Sequence, residues 1–273
     1  MKNHVFATLG TVLSAFSFVA CIAGEAPQEI DQEHGEELVS EAEQAIKNGT
    51  AASLGEAMVV RVSKPNGECT GTLISDDRVL TAAHCLPSAD PFDYSVTYAG
   101  TFRPVSGVLK HPSASSGIDV GILVLTDPMP LGSLTEYPEV NVADTDGLIG
   151  REVTCYGFGA QDVGSSCTST AQCAAGFTCV PVQNKCFKLS ATLRKGDFTI
   201  ISNPVNDDDF FRLDVPNANG QITLPGDSGG PCILDNPDWG KKHLVGVYSQ
   251  GNLVSSSIYT SREAFASWVL DND

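Results

Sequence analysis

Residues 57–82 run Ala57-Met58-Val59-Val60-Arg61-Val62, Lys64-Pro65-Asn66-Gly67, Gly71-Thr72-Leu73-Ile74, Ser75-Asp76-Asp77 and Val79-Leu80-Thr81-Ala82. Three short runs rich in apolar and β-branched residues are separated by two clusters of turn formers. That texture reads as antiparallel hairpins. It continues outward in Val120-Gly121-Ile122-Leu123-Val124-Leu125, Glu152-Val153-Thr154-Cys155-Tyr156 and Leu244-Val245-Gly246-Val247-Tyr248. Many short strands with no helical period between them argue for an all-β barrel or sandwich. Two segments depart from the pattern. Residues 161–187 are rich in Gly, Ser, Thr and Cys, and Ser261 to Leu270 places Phe265, Trp268 and Val269 at helical spacing. With Ser261 and Glu263 near its start, the latter reads as one amphipathic helix against the strands.

The chain has 273 residues, room for one large or two small domains, and its 42% hydrophobic content suffices for a core. A formal charge of −17 with no basic cluster excludes nucleic acid as a partner. The acid is uneven: residues 22–45 carry eight acidic side chains and no Lys or Arg. This stretch is too polar to fold alone and reads as a pro-segment or tether. Before it, Lys2 leads into an apolar or small run from Val5 to Ala20. The run is short for a membrane span and suits an export signal over residues 1–21. It ends in Phe18-Val19-Ala20-Cys21, which resembles a bacterial lipobox with Phe18 where Leu is usual. Two outcomes stay open, a lipid on Cys21 that tethers the protein to a membrane, or plain cleavage after Ala23. The corresponding locations are an outer-membrane lipoprotein or a secreted protein.

Nine cysteines follow the same logic. Export leads to a compartment where disulfides persist. Cys69, Cys85, Cys155, Cys167, Cys173, Cys179, Cys186 and Cys232 make an even set of eight in the body, and Cys21 is left over.

Three islands carry chemistry. Leu80-Thr81-Ala82-Ala83-His84-Cys85 puts a His at a strand end, and Gly117-Ile118-Asp119-Val120-Gly121 puts an acid at the mouth of a buried strand. Gly226-Asp227-Ser228-Gly229-Gly230-Pro231 sets a Ser in a glycine-rich bend. Each alone has a structural reading as a core His, a turn Asp or a loop Ser. Together, and in this order, they resemble the trypsin and chymotrypsin family over about residues 46–270. The resemblance implies two six-stranded antiparallel β-barrels, roughly residues 46–145 and 146–260, with a C-terminal α-helix. It implies a serine endopeptidase acting on proteins or peptides, with Ser228 as nucleophile, His84 as general base then acid, and Asp119 orienting the ring. A Ser hydroxyl needs such a base, and His is suited to the task because its ordinary pKa lies near neutrality. The N–H groups of Gly226 and Ser228 would receive the oxyanion. No metal or organic cofactor is implied.

The resemblance extends to the start of the domain. Ile46-Lys47-Asn48-Gly49 is similar to the family's activated N-terminus, with Lys47 where an apolar residue is usual. By that likeness the chain is a zymogen, and an activating protease frees the Ile46 amine to pair with Asp227. Ala45 before the cut argues against a trypsin-like activator. Among the cysteines, Cys69 and Cys85 fit the family bridge beside the His. Cys155 and Cys232 are each displaced by two positions from the family pattern, in opposite directions. In an antiparallel pair that displacement keeps both on one face, so they are expected to bridge. Cys167, Cys173, Cys179 and Cys186 form a two-disulfide insertion within residues 161–187, their spacing unlike that of a zinc site. It is either a stapled surface loop or a lid that restricts substrates.

Ile222 stands where cleavage after Lys or Arg needs an Asp. Ser249-Gln250-Gly251 takes the place of the pocket wall, Ser257 that of a usual Gly, and Leu224 that of a usual Cys. The pocket is therefore expected to be uncharged and to favour a small or apolar residue before the scissile bond. Asp207-Asp208-Asp209 reads as solvated surface, with a calcium site as the alternative, and His111-Pro112 as structural. The competing function class is a catalytically silent binding or adhesion protein of the same fold. The presence of all three catalytic residue types favours the enzyme.

Overall fold

The computed structural model describes residues 46–131, 136–140, 146–181, 183–202, 209–236 and 241–273. The expectations for residues 1–21, for Cys21, for the segment 22–45, and for Asp207 and Asp208 lie outside these residues.

The strands in chain order are β1 (Thr50–Ala51), β2 (Val59–Lys64), β3 (Gly67–Leu73), β4 (Arg78–Thr81), β5 (Ser95–Tyr98), β6 (Thr101–Lys110), β7 (Gly121–Leu125) and β8 (Glu152–Gly157). They continue as β9 (Ala160–Ser166), β10 (Thr178–Val180), β11 (Lys185–Leu189), β12 (Arg194–Ser202), β13 (Phe210–Leu213), β14 (Pro231–Asn236), β15 (Lys241–Gly251) and β16 (Ser257–Ser261). One helix, α1 (Arg262–Leu270), ends the chain. Strands β2-β3-β4-β7-β6-β5 close into one barrel, and β12-β13-β16-β15-β14-β8 close into a second. The chain is thus all-β, with two six-stranded antiparallel barrels and a C-terminal helix.

Local chemistry accounts for the hairpins. Pro65 pre-sets one corner of the β2–β3 turn and Asn66 adopts φ 62°, a left-handed conformation that Asn tolerates. The turn brings Lys64 opposite Gly67 and fixes the register back to Val59 opposite Thr72. Val59, Val60 and Val62 are then buried with Leu73, Leu80, Ile122 and Leu123 in the first barrel's core. Phe198, Phe211, Leu213, Val245 and Tyr259 fill the second.

One placement differs from the expected division of the chain. Residues 46–51, assigned by the resemblance to the first barrel, attach to the second instead. Lys47 bridges to Ile222, and Thr50 and Ala51 pair with Lys195 and Arg194 of β12. The cause is the side chain of Ile46, fully buried among second-barrel residues. Helix α1 follows the second barrel but packs on the first: Phe265, Ala266 and Val269 join the first core, and Trp268 meets the His111 ring edge-on at 5.2 Å.

The four disulfides pair Cys69 with Cys85, Cys155 with Cys232, Cys167 with Cys179, and Cys173 with Cys186. Cys155 and Cys232 are direct partners across β8 and β14. The cysteine-rich insertion is a small three-stranded sheet, β10-β11-β9, stapled by its two bridges around its own cluster of sulfur atoms. Disulfides of this number fit an extracellular, oxidising setting.

Candidate active site

Strand register explains how a His and an Asp 35 residues apart come together. Strands β4 and β7 are antiparallel with Thr81 opposite Gly121. The residues just after β4 and just before β7 therefore leave the barrel at the same rim. His84 sits there in a short 3₁₀ turn, Ala83–Cys85, and Asp119 two residues before β7 begins. Gly121 lets the turn close in, because a Cβ there would approach Leu86 Cδ1 at 2.5 Å and the Leu109 carbonyl oxygen at 2.9 Å.

Asp119 Oδ2 lies 2.7 Å from His84 Nδ1, and Oδ1 accepts the His84 backbone N–H at 2.8 Å. Ser249 Oγ–H donates to Oδ2 at 2.7 Å. Burial alone would raise this carboxyl. The His84 ring, Ser249 and the His84 N–H outweigh it and hold Asp119 below the ordinary carboxylate range. An ionised Asp119 can only accept, so Nδ1 carries the proton and Nε2 of neutral His84 is left as the acceptor. The ring is 42% exposed while the carboxylate is 17% exposed, so the imidazole faces solvent and its partner faces the protein.

Ser228 stands in the loop before β14. Its carbonyl oxygen lies 3.7 Å from Cys85 Sγ, the same atom that lies 3.8 Å from His84 Nε2. The imidazole and the serine thus flank one sulfur and line one cleft of about 400 Å³. Among the described residues, no hydrogen bond joins Nε2 to Ser228 Oγ. Such bonds are commonly long in the free protein and tighten on substrate.

The loop that carries Ser228 is held from below. Asp227 is buried, and its carboxylate accepts Gly159 N–H at 2.8 Å, Leu224 N–H at 2.8 Å and the N–H of Ile46. Burial is the dominant effect and lifts this group to about 7 against those three donors. Only glycine fits at 159, where a Cβ would meet Asp227 Cγ at 2.6 Å. Gly226 is required for a second reason: it adopts φ 99°, and a Cβ would lie 2.8 Å from Gly159 Cα. The N–H groups of Asp227, Gly229 and Gly230 are bonded to Leu224, Tyr248 and Asp227 carbonyls. Those of Gly226 and Ser228 have no such partner among the described residues, which leaves two neighbouring donors beside the Ser228 side chain.

One clamp was not signalled by any motif. Thr70 on β3 donates its N–H to the Ser228 carbonyl at 2.8 Å and its Oγ–H to the Gly226 carbonyl at 2.8 Å, and accepts Phe158 N–H at 3.0 Å. It ties the first barrel to the second barrel's loop, a role created only by tertiary packing.

The residues assigned to the specificity pocket divide into floor and rim. Ile222 and Ser257 are buried, Ser249 is half-buried, and Gln250 and Gly251 are exposed. Thr223 Oγ1 and Ser257 Oγ hydrogen-bond at 2.6 Å. As for metals, Cys69, His84 and Cys85, and also Cys167, Cys173 and Cys186, gather ligand-type atoms within 4.8 Å. Every cysteine in these groups is oxidised in a disulfide and offers no thiolate.

Comparison with known proteins agrees with this architecture. The sequence pattern of the Trypsin family matches residues 46–269. A trypsin of Saccharopolyspora erythraea is 30% identical over 218 residues, covering 70% of this chain and 80% of that protein. A vitellin-degrading protease of Bombyx mori is 28% identical over 218 residues, 75% of each chain. A trypsin of Phaedon cochleariae is 26% identical over 217 residues, 74% of this chain and 77% of the other. With two closed barrels, a His–Asp pair and a glycine-held serine in one cleft, this chain belongs to the trypsin family and is a serine-type endopeptidase.

Proposed function

We propose that Ser228, His84 and Asp119 are the catalytic triad. Ser228 Oγ attacks the scissile carbonyl while His84 Nε2 takes its proton, and the Nδ1–H bond to Asp119 stabilises the imidazolium that forms. The N–H groups of Gly226 and Ser228 receive the oxyanion, each worth about 3–4 kcal/mol in the transition state. His84 then protonates the leaving amine, and water releases the acyl group by the same steps in reverse. The observation that carries this reading is the 2.7 Å bond from His84 Nδ1 to a carboxylate already held ionised, in the cleft that Ser228 lines. The test is a fluorophosphonate probe on the activated protein. Labelling that Ser228→Ala abolishes is expected, and an unlabelled wild-type protein would place the chain among silent binding proteins instead.

The same reading makes the chain a secreted zymogen, activated by cleavage between Ala45 and Ile46. What supports it is the burial of Ile46 against Asp227, with the Ile46 N–H already on the carboxylate. A freed ammonium there would neutralise a buried acid and order the loop before Ser228. N-terminal sequencing of active enzyme is expected to begin at Ile46. The lipid on Cys21, with the membrane tether it provides, is tested by the intact mass of native protein. A mass without acyl chains removes that part alone.

A further inference from the structure

A peptide whose carbonyl oxygen rests on the Gly226 and Ser228 N–H groups must run its two halves to either side of Ser228. On the side of Ser249 to Gly251, the space behind the rim is filled by the protein itself. Tyr248 is 4% exposed, and its ring lies 5.2 Å from that of Tyr259. A Cβ on Gly251 would meet the Tyr248 hydroxyl at 2.5 Å, so the ring reaches the rim. Ile222 at 4%, Thr223 at 1% and Ser257 at 0% exposure form a floor that is buried beneath the rim. A side-chain pocket open to solvent would leave that floor accessible.

On the other side the cleft is open. His84 and Ser228 share it with an apolar patch of Phe158, Val180, Leu189 and Pro225, and the polar side chains of Lys64, Asn66, Glu68, Thr178 and Gln183 complete the lining. Val180 belongs to β10 of the cysteine-rich insertion and Leu189 to β11, so the stapled sheet forms one wall. Ile222, Tyr248, Ser257 and the rim residues take no part in it. The leaving nitrogen must sit at His84 Nε2 to be protonated, and so the groove that holds His84 receives the leaving-group half.

We propose that this protease selects its substrates by a side chain after the scissile bond and accepts only small ones before it. Tyr248 plugs the acyl-side pocket and admits only small side chains, and the insertion-walled groove binds an apolar side chain of the leaving group. The proposal rests on the triad reading, and the experiment separates the two. Activated full-length protein is given a peptide library randomised on both sides of the bond, and the products are read by mass spectrometry, with fluorophosphonate labelling measured in parallel. Expected are Gly, Ala or Ser before the bond and at least ten-fold enrichment of apolar residues at one of the first two positions after it. Tyr248→Val should raise kcat/KM for substrates with Leu or Phe before the bond at least ten-fold, whereas Tyr248→Phe, which keeps the plug, should retain the wild-type profile. Val180→Asp should cut the apolar preference after the bond at least ten-fold. Labelled wild-type protein that accepts large residues before the bond, or shows no preference after it, overturns the proposal. Absence of labelling overturns the triad reading instead.

Discussion

Two carboxylates near the cleft face opposite demands. Asp119 is surrounded by donors and ionised, so its value is as a fixed acceptor for His84 Nδ1. Asp119→Asn is therefore expected to favour the wrong tautomer and lower kcat by about 10⁴ with little loss of fold, as measured by steady-state kinetics beside circular dichroism. Asp227 is buried and raised to about 7. In the uncut chain the folded state then keeps a proton that the unfolded state gives up near pH 4. Its contribution to stability is full below that value, falls as pH rises from about 4 to 7, and is constant beyond; at 1.36 kcal/mol per unit the fall is roughly 4 kcal/mol. Thermal midpoints against pH should show this slope in a Ser228→Ala background, and Asp227→Asn should remove it. His84, Asp119 and Ser228 were legible as candidates because their residue types sit in distinctive local contexts. Tyr248 and Thr70 were not, since nothing in their neighbourhood signals a plug or a clamp that arises from contacts far along the chain.

The hairpin strands were readable for a physical reason: alternating burial and turn chemistry both act within a few residues. Lys64-Pro65-Asn66-Gly67 both names the turn and sets its register. The insertion was less readable, because its short strands carry few apolar residues, with Phe187, Val163 and Val180 packing on the second core and two bridges stapling the sheet. At this scale the tightest constraint is where β8 leads into β9. Gly159→Ala would push a methyl group into Asp227 and displace the loop that presents Gly226 and Ser228. The expected result is a loss of at least about 10²-fold in kcat/KM from a disturbed oxyanion site, with overpacking costing about 1–3 kcal/mol. Kinetics and a denaturant titration on the same sample check both.

Across the whole molecule, the cleft is maintained by contacts that join the barrels. Thr70 holds the Ser228 loop from the opposite barrel, and α1 crosses back to seal the first core. Cys155–Cys232 closes a separation of 77 residues that spans the insertion and the β12–β13 segment. Closure entropy for a loop of that length is about 4.5 kcal/mol. Replacing both cysteines with Ala should lower unfolding free energy by an amount of that order while leaving β8 and β14 paired, as read by chemical denaturation and hydrogen exchange. A loss below about 1 kcal/mol would mean that the antiparallel register alone holds these strands.

Composition and local pattern alone established an acidic, cysteine-rich, β-stranded domain with the motifs of a serine protease. Those signals act over a handful of neighbouring residues, and that is why they can be read without coordinates. Barrel closure and the packing of one barrel on the other decided the rest. They brought residue 84 to residue 119, sent residues 46–51 to the second barrel, and packed Tyr248 behind the rim. Such outcomes depend on strand register and on volumes filled by residues far apart in the chain, quantities that no short stretch of sequence contains.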